Sequence, residues 1–204
     1  WIDATLNRNA PIMKHDLSIM GGSESVNYAL SAGYLTHEGI VGGNYDRSNY
    51  ERLTIRANIG ATVFDSSKKR DWLNKLTVQT SVSYARILST GIEANSEYGS
   101  PLGSAITMSP LLDIYATPEE EEAYKTMYPD GYEHIVRDAN GRPYTVVDGN
   151  IYNEQSNPLA FLSLPGTKYE TDKFIANFVG ELSIYDGLKF RSSVGVDLAL
   201  WGNH

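Results

Sequence analysis

The chain has 204 residues, no cysteine and a formal charge of −8, and its length suits one large domain or two small ones. The missing cysteines exclude disulfides and thiol chemistry, and the acidic balance argues against nucleic acid, whose phosphates require clustered Lys and Arg. No stretch approaches the roughly 18 continuous apolar residues of a membrane helix, but a membrane barrel is written in alternating segments of about 10 residues and stays open. Fourteen tyrosines and eighteen glycines against five phenylalanines suit a water–membrane interface or a polar-ligand surface better than a dry core. The chain begins at Trp1 with no initiator Met, basic n-region or apolar h-region, so it is expected to be an excerpt of a longer protein rather than a cytoplasmic one.

Residues 1–11 show no periodicity and are expected to form an irregular entry. A first strand is predicted over 14–20, followed by Gly21-Gly22-Ser23-Glu24 as a tight turn whose glycines supply positive φ. The second strand, 25–36, sets Val26, Tyr28, Leu30, Ala32 and Tyr34 against Asn27, Ala29, Ser31 and Gly33. Residues 37–49 are glycine-rich, polar and too long for a minimal hairpin, which predicts an exposed loop. The third strand, 50–64, sets Leu53, Ile55, Ala57, Ile59, Ala61 and Val63 against Thr54, Arg56, Asn58, Gly60 and Thr62. After a short basic turn, DSSKKRD, a fourth strand over 73–88 sets Leu76, Val78, Val82 and Tyr84 against Thr77, Gln79, Ser81 and Ser83. Only a strand alternates faces with period two, so these segments predict an antiparallel sheet with a different solvent on each side.

The alternation stops over 89–171. Within this stretch Pro118 and the four glutamates after it predict a short helix, because Pro suits a first helical turn and carboxylates suit its positive end. Asp138-Ala139-Asn140-Gly141-Arg142-Pro143 and Asp148-Gly149-Asn150 are expected as turns of a small hairpin carrying 144–147. A fifth strand, 172–184, places Phe174, Ala176, Phe178, Gly180, Leu182 and Ile184 on one face, and Tyr185-Asp186-Gly187-Leu188 is a tight turn. The sixth, 188–201, sets Phe190, Val194, Val196, Leu198 and Leu200 against Lys189, Arg191, Ser193, Gly195 and Asp197.

Short and long connections alternate, as on the two rims of an outer-membrane barrel. The strands are longer than the ~9 to 11 residues that cross a bilayer and are expected to project beyond it. Aromatic girdles fall at Trp72, Phe190 and Tyr28 towards the short-turn rim, and at Tyr34, Tyr84 and Phe174 towards the other. The fold class expected is therefore all-β: an antiparallel transmembrane β-barrel segment of about six strands with long extracellular loops.

The words of the chain carry a further signal. Leu17, Ser18, Gly21, Gly22, Tyr28, Ser31, Gly33, Tyr34, Glu38, Gly39, Arg47, Tyr50 and Arg52 fall in the pattern H-x-L-S-x-x-G-G-S-E-x-x-x-Y-x-x-S-x-G-Y-x-x-x-E-G-I-V and the R-x-N-Y-x-R turn after it. This stretch closely resembles the SusC/RagA-type TonB-dependent outer-membrane transporters. SPLLDIY and NPLAFL sit where that family has a P-L-x-P-x-Y-like segment and an N-P-x-A segment, with Asp113 in place of the second proline. The resemblance implies an internal piece of a barrel of about 22 strands, lying across 1–204, in the bacterial outer membrane. It also implies active import of oligosaccharides or peptides, a SusD-type lipoprotein over the extracellular mouth, and engagement of the TonB complex through parts of the protein absent here.

No enzyme is expected. His15, His37, His134 and His204 share no metal-ligand spacing, the glutamates 119–122 suit a solvated helix start, and no G-x-S-x-G, G-x-G-x-x-G or P-loop is present. No cofactor is implied. Arg56, Asn58, Gln79, Asn177, Glu181, Arg191 and Asp197 are expected to face a wet lumen, where opposite charges pair. Binding residues concentrate on loops held by a rigid scaffold. Tyr98, Asp113, Tyr115, Tyr144, Tyr152 and Asn157 are therefore the candidates for sugar stacking, peptide capture or docking of the lipoprotein. Two rival readings stand beside the importer: a passive porin-like channel, and a soluble β-sandwich carbohydrate-binding module whose apolar strand faces pack on a second sheet.

Overall fold

A computed structural model describes residues 1–66, 72–92, 100–148, 151 and 155–203. The alternating segments form a single six-stranded sheet in plain sequence order: β1 (Ile12–Gly22), β2 (Val26–His37), β3 (Tyr50–Asp65), β4 (Lys75–Thr90), β5 (Lys168–Tyr185) and β6 (Leu188–Asn203). Such a meander puts the β2–β3 and β4–β5 connections at the strand ends opposite the three short turns. β1 and β6 are edge strands, each with one side of its backbone ladder unpaired. Among the described residues no second sheet packs on the first, so the β-sandwich architecture is not the one formed.

The β5–β6 register pairs Phe174 with Leu198, Ala176 with Val196, Phe178 with Val194 and Leu182 with Phe190 on one face. On the other face Ile175 meets Asp197, Asn177 meets Gly195 and Glu181 meets Arg191. Gly187, at φ 82, provides the left-handed residue of the Asp-Gly turn.

Two turn expectations differ from what forms. Gly21 and Gly22 lie inside β1 and adopt no positive φ, so the first turn belongs to 23–25. What these glycines provide is room: a Cβ on Gly21 would lie 2.5 Å from Tyr28 Oη, and one on Gly22 would lie 2.7 Å from Val26 O. The fourth strand starts at Lys75 rather than at 73, because Leu73 takes φ 60. The amides of Leu73 and Asn74 donate instead to the carbonyls of Ile184 and Ser183. The DSSKKRD turn and Asp148-Gly149-Asn150 fall largely outside the described residues.

The chain divides into two compact units: the sheet residues Met13–Thr36, Glu51–Leu88 and Tyr169–His204, and a connection unit of Trp1–Ile12, His37–Tyr50 and Ser89–Lys168. The connection unit carries short helices α1 (Ile2–Thr5), α2 (Pro101–Thr107), α3 (Pro118–Met127) and α4 (Pro158–Ser163). The last three begin alike, with a capping side chain followed by Pro: Ser100, Thr117 and Asn157 each accept backbone N–H groups of the first turn. Thr117 and Glu120 complete a reciprocal capping box on the helix that the sequence announces. Residues 1–11 are not wholly irregular, since 2–5 form a helical turn and Leu6 bridges to Val41. α1, α2 and α4 pack together, burying Thr5, Pro101, Ser104, Ala105, Leu159 and Leu162.

Gly42 makes this packing possible. It sits at φ 68, and a Cβ there would lie 2.6 Å from Leu162 Cδ2. Strain and overpacking act together at such a site, so Gly42→Ala is expected to destabilise the connection unit by about 2 kcal/mol. Faster limited proteolysis of the full-length protein within residues 37–50 and 155–168 is the readout.

Candidate functional site

The strands sort their side chains onto two faces, and bonds across and along the strands agree with the sorting. On the face of Leu53, Ile55 and Phe174, Tyr34 Oη donates to Glu51 at 3.3 Å, Tyr84 Oη donates to Asp172 at 2.5 Å, and Arg86 pairs with Glu170. On the other face Ser81 Oγ donates to Asn58 Oδ1 at 2.7 Å, Lys189 pairs with Glu181 at 3.0 Å, and Lys14 pairs with Asp16 at 2.8 Å.

The first face is an apolar band with a polar margin. Val26, Tyr28, Leu30, Leu53, Ile55, Ile59, Val63, Phe174, Phe178, Val194 and Leu198 are all exposed on it. Along β3 the apolar run goes from Leu53 to Val63. Ten steps of about 3.3 Å, tilted by about 45°, span roughly 23 Å, close to the ~25 Å apolar band of an outer-membrane barrel. The Tyr34–Glu51, Tyr84–Asp172 and Arg86–Glu170 pairs lie beyond this run, at the strand ends that lead into the long connections. There the strands continue past the apolar band as polar ladders. Charged residues at the start of β5, Lys168 to Asp172, explain why that strand begins earlier than alternation alone predicts.

The second face is wet. Arg56 lines a polar pocket of about 180 Å³ with Lys14, Asp16, Ser18 and Thr54. Gln79, Glu181 and Arg191 line another of about 140 Å³ with Thr77 and Val179. Asp197 stands 3.9 Å from Lys173, and Asn177 is exposed opposite Gly195. The structure thus groups Gln79, Glu181 and Arg191 but holds Arg56, Asn58, Asn177 and Asp197 apart from them. Asn58, Glu181 and Asp197 have partners within the sheet, in Ser81, Lys189 and Lys173.

The connection unit treats its candidates unequally. Tyr98 and Tyr152 lie outside the described residues. Asp113 is exposed, and its carbonyl accepts from Thr145 Oγ1 at 2.7 Å. Tyr115 stacks on Tyr144 with centroids 5.1 Å apart, and the Arg142 guanidinium lies 4.0 Å from the Tyr115 ring centre. Tyr144 is only 4% exposed and bonds Ser163 Oγ at 2.7 Å. Burial, and then the neighbouring Tyr144, raises the Tyr115 phenol above its ordinary pKa. Tyr45 is raised by burial and then by both of these rings.

Asn157 is 5% exposed and fully engaged. Its Oδ1 accepts from Leu159 N and Ala160 N, and its Nδ2 donates to the carbonyls of Ile114 and Thr145. It ties three segments together and offers a ligand nothing. Asn157→Ala removes an N-cap and two carbonyl partners at once, so a loss of about 2–3 kcal/mol is expected. Accelerated hydrogen exchange at Leu159 and Ala160 in the full-length protein is the measurement.

The residues that sequence reasoning missed line a cavity of about 450 Å³, among them Tyr128, His134, Val136, Val147, Gln155 and Phe161. Tyr144 and Asn157 lie in its wall. A strand or helix period could not have found these positions, because turns bring them together from three separate segments. Nearby, Glu121 accepts from Tyr132 Oη at 2.6 Å and from Arg137 Nη2 at 2.9 Å. These bonds, that from Tyr132 first, hold its carboxyl below the ordinary value. A depressed folded pKa adds stability that is complete above the unfolded value and is lost as pH falls through the folded one. The attachment of α3 to 132–137 is therefore expected to loosen below pH ~4, and Glu121→Gln is expected to remove that dependence. Proteolysis of the segment against pH reads it. No group of His, Asp or Glu among the described residues is placed to hold a metal ion.

No family model matches the chain. It is 26% identical over 203 residues to the TonB-dependent receptor SusC of Bacteroides thetaiotaomicron, a match covering 98% of this chain and 18% of that protein. A TonB-dependent receptor of Formosa agariphila is 28% identical over 197 residues, covering 97% of this chain and 16% of that protein. Among solved structures, the RagAB peptide importer in its open-open state superposes with a TM-score of 0.57 at 18% identity, over 94% of this chain and 18% of that one. That last likeness is one of fold. The chain spans less than a fifth of the length of any of these proteins.

Proposed function

We propose that this segment of a SusC/RagA-type TonB-dependent barrel of the bacterial outer membrane serves active import of an oligomeric nutrient, an oligosaccharide or a peptide. The observation that carries the reading is the two-faced sheet: an exposed apolar band of membrane height on one side, paired charges on the other, and long connections at one set of strand ends only. A bilayer on one side and a water-filled, plugged lumen on the other explain both faces at once. In this reading the sheet is scaffold. The connection unit meets the substrate and a SusD-like surface lipoprotein, and the TonB complex acts through other parts of the full-length protein. The segment performs no bond chemistry, and its work is to hold, admit and release.

The test is uptake by cells whose only route for the nutrient is the full-length protein. Energised import is expected to stop when the proton-motive force is collapsed or TonB is deleted. Uptake that continues under both conditions would identify a passive pore instead.

A further inference from the structure

We infer that the apolar cavity of the connection unit is a side-chain subsite for a peptide. It takes one large uncharged side chain while the Gln155 amide meets the adjoining backbone N–H. The inference rests on the import reading above and chooses between its two substrate classes.

Sugar recognition needs an open aromatic face and free amide or carboxylate groups, and in Tyr115, Tyr144 and Asn157 these are spent. Tyr115 is stacked against Tyr144 and Arg142, Tyr144 is buried, and all the hydrogen-bonding capacity of the Asn157 amide is used internally. The cavity, in contrast, has broad walls of Val136, Val146, Val147, Ala160, Phe161 and Leu164, with Tyr128, His134, Thr145 and Ser156 between them, and no Asp, Glu, Lys or Arg lines it among the described residues. Its volume of about 450 Å³ lies within the ~300–1,000 Å³ range of small-ligand pockets. Sugar hydroxyls pressed against these aliphatic walls would go unpaired.

Among the polar groups of the lining, the one buried without a partner points beyond a purely apolar occupant. Gln155 lines the cavity, and its Oε1 is buried with no hydrogen-bond partner. A hydrocarbon chain would leave that acceptor unsatisfied. A peptide brings an N–H donor one bond from an apolar side chain, and so satisfies the acceptor and fills the volume together.

The experiment uses the purified full-length protein in detergent. Two neutral tetrapeptides that differ in one residue, Ala or Phe, are titrated by calorimetry, with a neutral tetrasaccharide as competitor. The Phe peptide is expected to bind tenfold or more tightly than the Ala peptide, as roughly six extra carbons in an apolar pocket imply, and the sugar is expected not to displace it. Ala160→Phe, which fills the cavity from α4, is expected to erase the difference. If that variant lowers the folded yield, Val147→Ala, which only enlarges the cavity, is expected to shift preference from Phe to Trp.

Equal binding of the two peptides, displacement by the sugar, or selectivity unchanged by either variant overturns the subsite. Loss of lipoprotein binding in Ala160→Phe with peptide selectivity intact also overturns it, and makes the cavity a partner surface. Energised uptake that persists without side-chain selectivity removes the subsite alone. Uptake indifferent to the proton-motive force removes the import reading.

Discussion

Ile55→Arg is expected to destabilise the membrane-embedded protein by about 2–4 kcal/mol, the mid-bilayer penalty for a cation on the lipid face of a barrel. Ile55 is exposed on the apolar face, near the middle of β3, with Leu53 and Ile59 beside it on that face. Its neighbour Arg56 already carries a guanidinium, but on the wet face with Asp16 and Thr54. One residue of displacement along a strand therefore decides whether the same charge sits on the wet face or is stranded in hydrocarbon. Val78→Arg on β4 is expected to behave likewise. Urea titration of the full-length protein in phospholipid vesicles is the measurement, with Thr54→Arg as a wet-face control expected to change stability little. Equal tolerance of Arg at 54, 55 and 78 would contradict the assignment of faces.

Arg47→Met is the second large effect, and it falls on the connection unit. Arg47 is 7% exposed, and its Nη1 donates to the carbonyls of Phe161 and Leu164 at the end of α4. Its guanidinium also lies 4.9 Å from the centre of the Phe161 ring. A cation at a helix C-terminus satisfies orphan carbonyls and suits the negative end of the helix. Met retains the stem packing and removes both charge-assisted bonds, so a loss of about 3 kcal/mol is expected. That corresponds to roughly a hundredfold faster hydrogen exchange at the amides of α4 if the unit opens locally. Lys at this position is expected to fall between the two, since it keeps the charge but lacks the planar guanidinium that lies over the Phe161 ring.

Arg47 also shows what the sequence made legible and what it did not. It belongs to the turn pattern read from the sequence, yet nothing in that pattern says it reaches residues more than a hundred positions away. The strands were readable because alternation is local: each Val-x-Tyr-x-Leu or Leu-x-Ile-x-Ala run carries its own evidence of two faces. Gly187 was readable because an Asp-Gly pair between alternating runs demands positive φ. Gly21 and Gly22 look the same in the sequence, but they serve close approach to Tyr28 and β2. Composition cannot separate these two uses of glycine.

The helices α2 and α4 were missed because a run of fewer than two turns is too short to show a 3.6-residue period. Their signal was the dipeptide instead, Ser100-Pro101 and Asn157-Pro158, a cap followed by a residue already set for the first helical position. The candidate site was the least legible part. Tyr115, Tyr144 and Asn157 stand out in the sequence as loop candidates for binding, and in the fold they make internal contacts. Sequence cannot show that a ring is stacked on a second ring and met by a guanidinium, or that an amide has no bond left to give, and the cavity exists only after the turns have closed around it.

Cysteine scanning along β3 tests the central claim most directly, because the segment contains no native cysteine. Single cysteines at positions 53 to 59 of the full-length protein, in an otherwise cysteine-free background, would be exposed in intact membranes to a water-soluble maleimide. Those that resist it would be challenged with a lipid-borne quencher of an attached fluorophore. Alternation with period two is expected: positions 53, 55, 57 and 59 quenched from the lipid, and positions 54, 56 and 58 reached from water. Water access at every position, or no alternation between the two reagents, would contradict a lipid-facing barrel wall.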